Sequence, residues 1–68
     1  LIYLVQGLRN QDDKTKILCA KILASISTPK RDILERISID LFDEIFEVKV
    51  YLRLAFSIGL AKLSSEEN

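Results

Sequence analysis

The chain has 68 residues, of which 49% are apolar and 29% charged. That mix suits one small folded domain and argues against a disordered segment, although a core of this size is marginal on its own. Lys plus Arg and Asp plus Glu number ten each, so net charge gives no general pull toward nucleic acid or a membrane surface.

Leu1, Leu4, Val5 and Leu8 recur at the spacing of one helix face, which predicts a first helix that Gly7 weakens modestly. Asn10-Gln11-Asp12-Asp13 is a polar break, and Asp12 or Asp13 is expected to cap the next helix. That second helix is predicted from about Asp13 to Ser27. Thr15, Leu18, Cys19, Ile22, Leu23 and Ile26 would line its buried face, with Ile17 and Ala20 widening the stripe. Lys14, Lys16 and Lys21 fall at its edges and back.

Ser27-Thr28-Pro29 marks the clearest boundary. Pro29 suits the first position of a third helix, capped by Ser27 or Thr28, with Asp32 and Glu35 near its positive end. This helix is predicted to reach Phe42 or Ile45. Its face would be Leu34, Ile37, Leu41 and Ile45, with Ile33 alongside and Ile39, Phe42 and Phe46 off it. Asp43 to Glu47 holds neither Gly nor Pro, so a single helix from Pro29 to Leu63, roughly 50 Å long, is an alternative. The fourth helix is predicted to end at Leu63, leaving Ser64 to Asn68 as a polar tail. It is apolar on two faces: Leu52, Ala55, Phe56, Gly59 and Leu63 on one, Val50, Leu54, Ile58 and Ala61 on the other.

The chain repeats itself. Asn10 aligns with Asp43 (43 − 10 = 33), Thr15-Lys16 with Val48-Lys49, Leu4 and Leu8 with Ile37 and Leu41, and Cys19 and Leu23 with Leu52 and Phe56. A period of roughly 20 to 50 residues marks stacked repeats, and it favours a break between Asp43 and Glu47. Leu41-Phe42-Asp43-Glu44-Ile45-Phe46-Glu47-Val48-Lys49, with its turn acid and its Val-Lys opening a helix, resembles a HEAT repeat. Leu8 to Lys16 follows the pattern with Asn10 for the acid and Thr15 for the valine, and Ile45-Phe46 replaces the family's Pro and polar turn residues. The resemblance implies an all-α fragment: two antiparallel helical hairpins stacked as part of an α-solenoid, akin to armadillo-like arrays. The unit would span 1–63, with repeats near 1–27 and 29–63 and a tail at 64–68. It also implies that Asp43 pairs with the lysines Lys16 and Lys49.

Little else carries chemistry. With no His and one Cys, a Cys/His metal site is excluded within these residues, and Cys19 reads as a core side chain. Asp12-Asp13 and Asp43-Glu44 read as helix-start acids rather than catalytic or metal-binding pairs, and no glycine-rich phosphate loop is present. No cofactor and no enzymatic activity are expected. No apolar run approaches the about 20 residues of a membrane span. Neither a signal peptide nor a disulfide is visible, which suggests an intracellular protein, cytoplasmic or nuclear. The absence of Met suggests a piece of a longer chain.

The expected role is a protein–protein interaction or scaffold module. Lys14, Lys21, Lys49 and Arg53, on the second helix of each hairpin, are candidate contacts, as are Val50, Leu54 and Ile58 on the second face of the last helix. The partner would be a protein or neighbouring repeats. Two alternatives are a bundle that self-associates through Val50, Leu54 and Ile58, and a helical repeat that holds nucleic acid on its basic residues.

Overall fold

The computed structural model describes the backbone of residues 2–67 and the side chains of residues 3–65. Leu1, expected on the first helix face, lies outside them. The described residues form four helices and no strand: α1 (Ile2–Gly7), α2 (Asp13–Ile26), α3 (Arg31–Ile39) and α4 (Phe46–Glu67). α1 packs on α2 and α3 on α4, while α2–α4 and α1–α3 contacts join the two pairs, the α2–α4 interface being the most extensive.

Each helix stops for a local reason. α2 ends at Ser27, whose backbone is left-handed (φ 48°, ψ 54°). Its N–H donates to the Leu23 carbonyl at 2.9 Å and its Oγ to the Ala24 carbonyl at 2.6 Å, satisfying two carbonyls that the helix end leaves open. α3 starts later than the proline rule suggests. Pro29 stands before the helix and extended Lys30 takes the cap position, with Ser27 and Thr28 buried beneath α4 instead of capping α3.

α3 also stops earlier than its apolar pattern suggests, at Ile39. Residues 40–45 turn the chain, so one long helix from Pro29 to Leu63 does not form. Leu41 and Ile45 still pack against the core, but from the turn. At the other end α4 runs on through Glu67, so the segment expected to be a tail is helical up to that point.

Val5, Leu8, Ala20, Leu23, Ile33, Ile37, Val48, Leu52 and Ala55 form the core, with Leu34 also buried. α3 therefore buries the face its periodicity indicates, Ile33, Leu34 and Ile37. α2 does not. Of the expected face only Leu23 is buried, with Thr15 and Cys19 half-buried; Leu18, Ile22 and Ile26 are exposed, and Ala20, expected only to widen the stripe, is buried. The reason lies in the partner: Lys16, Ala20, Leu23 and Ser27 share a helix face, and Lys16 reaches Asp43 in the turn before α4. α2 is thus rotated toward the second helix pair, away from the larger of its two apolar faces.

Two glycines set the closeness of packing. A methyl group on Gly59 would lie 2.7 Å from the Thr28 carbonyl oxygen and 2.6 Å from Leu34 Cδ2. The bare backbone there lets the α2–α3 connection lie against α4. A methyl group on Gly7 would collide with Cys19 Sγ, which places the half-buried Cys19 against α1.

Candidate functional site

The α1–α2 and α3–α4 turns share one set of hydrogen bonds. In the first, the Asn10 N–H donates to the Gly7 carbonyl at 3.1 Å, the Asp12 N–H to Asn10 Oδ1 at 2.9 Å, and the Lys16 N–H to the Asp12 carbonyl at 3.1 Å. In the second, the Asp43 N–H donates to the Asp40 carbonyl at 3.2 Å, the Ile45 N–H to Asp43 Oδ1 at 2.9 Å, and the Lys49 N–H to the Ile45 carbonyl at 3.1 Å. Every partner is displaced by the same 33 positions (43 − 10). A short side-chain acceptor folding back two residues on is the local chemistry that makes Asn and Asp good turn formers.

Asp43 does one thing more than Asn10. While Oδ1 fixes the turn, Oδ2 accepts a hydrogen bond from Lys16 Nζ at 3.0 Å, joining the second turn to α2. Burial raises the Asp43 carboxyl. The Ile45 N–H and the hydrogen bond and charge of Lys16 outweigh it, leaving the group more acidic than usual. Asp40, in the same turn, goes the other way. Burial dominates, the Asp43 charge adds to it, and Arg9 and Lys16 offset only part, so its carboxyl is held above the usual range. Asp40 Oδ2 has no hydrogen-bond partner among the described residues.

The basic candidates lie on the surface, each in a different setting. Lys14 is exposed. Lys21 Nζ sits 5.8 Å from the Tyr51 ring centre and Lys49 Nζ 5.9 Å from that of Phe46. The Arg53 guanidinium lies 5.4 Å from the Phe42 ring centre, and its Nε donates to the Leu41 carbonyl at 3.3 Å. Cation–aromatic contacts at exposed sites are worth about 0.5–1 kcal/mol each. They fix where these charges stand without neutralising them.

The apolar candidates form one strip. Val50, Leu54 and Ile58, four residues apart along α4, are 45%, 48% and 36% exposed. Opposite them on the same helix, Val48, Leu52, Ala55 and Gly59 are buried. The spacing therefore separates the two faces of α4 correctly. Sequence reasoning missed further exposed apolar side chains: Leu18, Ile22 and Ile26 on α2, and Leu60 on α4. The unequal exposure of the α2 residues follows from the rotation toward α4, which periodicity alone does not carry.

A groove of about 160 Å³ opens between α3 and α4, lined by Leu34, Phe56, Leu60 and Leu63, with Arg31, Glu35 and Ser38 at its polar side. Among the described residues there is no cluster of three or more His, Cys, Asp or Glu side chains that would hold a metal ion. No helix among them is long and apolar enough to cross a membrane. No protein-family model, no curated protein and no solved structure matches the chain.

Proposed function

We propose that this chain is a non-catalytic protein-interaction module, built as two stacked helical hairpins of an α-solenoid and acting as part of a scaffold. The observation that carries the reading is the strip Val50–Leu54–Ile58. Three large aliphatic side chains, each more than a third exposed, line up on one helix with the core on its opposite side. Apolar strips of this kind mark surfaces that another protein covers. The recurrence of the same turn hydrogen bonds 33 residues apart (43 − 10), with Lys16 bridging to Asp43, supports the repeat. Repeats stacked in this way present one helix from each hairpin along a continuous surface, which suits scaffolding.

Sedimentation velocity across a concentration series, with wild type beside Leu54→Asp, tests the reading. Wild type is expected to associate increasingly with concentration, and Leu54→Asp to stay monomeric with unchanged helix content. A wild type that is monomeric throughout, with Leu54→Asp indistinguishable from it, contradicts the reading. A single well-defined dimer, dispersed by Leu54→Asp, would identify the strip as a contact between two copies and replace the scaffold with a self-associating bundle.

A further inference from the structure

The apolar strip on α4 is longer than its three aliphatic side chains. Phe46, four positions before Val50, continues the row toward the helix start and is 71% exposed. Phe42, in the turn before the helix, is 79% exposed, and its ring lies by the guanidinium of Arg53, one turn from Val50. Cations stand along both edges of this row. On one edge Lys49 and Arg53, four apart, are each held by a phenylalanine ring, Phe46 and Phe42. On the other edge Lys21 reaches across from α2 to the ring of Tyr51, which stands three positions before Leu54 and so beside it. Lys62 follows Ile58 by one turn and is exposed. Within positions 46–63 the sole carboxylate is Glu47, in the first turn of α4, where the positive helix end favours it. Lys16, by contrast, is already engaged by Asp43.

We infer that this face takes an acidic amphipathic helix from a partner protein, with its apolar row along Phe46, Val50, Leu54 and Ile58 and its carboxylates meeting Lys49, Arg53 and Lys21. The inference rests on the reading of the strip as an interaction surface and names the chemistry of what covers it. A row of side chains four apart is a ridge that fits the groove of another helix. A row about 18 Å long matches about 12 residues of that helix. Charge selects the sign. A second copy would set cation against cation along the edges, which weakens that pairing. Nucleic acid would meet the cations but lay its phosphates along the apolar row between them, where they lose water without gaining a partner. The rings also prepare the site. A cation already held at an aromatic face loses less freedom when it meets a carboxylate.

Two synthetic peptides of one design test this. Both carry leucine at i, i+3, i+4 and i+7, with glutamate at the flanking positions in one and lysine in the other. The chain, labelled at its N-terminus and kept dilute enough to stay monomeric, is titrated with each peptide at low salt and read by thermophoresis. The glutamate peptide is expected to bind about tenfold more tightly than the lysine peptide, the scale of one charged hydrogen bond, and the gap to close as salt rises. Lys49→Glu with Arg53→Glu is expected to cancel the preference. So, independently, is Lys21→Glu with Lys62→Glu on the other edge, circular dichroism checking that each variant stays helical. Leu54→Asp is expected to weaken binding of both peptides about tenfold or more. The inference is overturned if neither peptide binds, if the two bind alike, or if a reversed variant that stays helical keeps the full preference. Equal binding that Leu54→Asp abolishes leaves the strip as an interaction surface and removes only the acidic partner. A preference for glutamate that Leu54→Asp leaves unchanged removes the strip itself, and the inference with it.

Discussion

Asp43 and Asp40 are three positions apart in one turn, yet they answer pH in opposite senses. The folded-state carboxyl of Asp43 is more acidic than in the unfolded chain. Its contribution is therefore complete above the unfolded value and is lost as pH falls through the folded one. Asp40 is less acidic when folded. Its ionised form weighs against the fold at neutral pH, and protonation relieves this as pH falls through the raised value. Urea unfolding at pH 7 should find Asp43→Asn destabilised by about 1 kcal/mol, the charge being lost while a turn-forming oxygen remains. Asp40→Asn should be more stable than wild type at pH 7. Both differences should shrink near pH 3, and a difference that grew there would reverse the assignment. Of the two pairings that the resemblance implied for Asp43, that with Lys16 forms and that with Lys49 does not, Lys49 lying by the Phe46 ring instead. The role of Asp40 was not legible in the sequence, because its opposing cation, Arg9, belongs to the other hairpin.

At the scale of the helix, close approach decides more than propensity. Gly59→Ala removes a helix-weakening glycine, a gain of about 1 kcal/mol. It also sets a methyl group 2.7 Å from the backbone oxygen of Thr28, which has little room to move. The net expectation is a loss of about 1–3 kcal/mol, as in other overpacked contacts. Gly7→Ala meets only the Cys19 thiol, a side chain that can rotate away, and should be close to neutral. Thermal unfolding followed by circular dichroism compares the two. Equal losses would mean that the helices are not held this closely at Gly59. While the break between α3 and α4 came from the 33-residue repeat (43 − 10), periodicity placed α1 and α2 and separated the two faces of α4. It failed on α2, where apolar residues surround most of the helix and the choice of face belongs to the partner. It overran the end of α3, because Leu41 and Ile45 keep the helical spacing while Asp43 folds the backbone into a turn.

The described residues measure 39 × 20 × 18 Å, and the 22-residue α4 is about 33 Å long at 1.5 Å per residue. Neither hairpin encloses a core: Val5, Leu8 and Leu23 from the first interleave with Ile37, Val48 and Leu52 from the second. An isolated helix of α2's 14 residues is marginal in water, and so is a chain this short with half its core removed. The two helix pairs should therefore fold as one unit, and the proposed interaction role depends on that rigidity. Native-state hydrogen exchange in increasing urea measures this directly, residue by residue. Amides at the centres of α2 and α4, around Leu23 and Leu52, should open with the same free energy and the same urea dependence, equal to those of global unfolding. If α4 instead kept its protection after α2 had opened, the two helix pairs would not share a single core, contrary to the packing of Leu23 with Leu52 in one cluster.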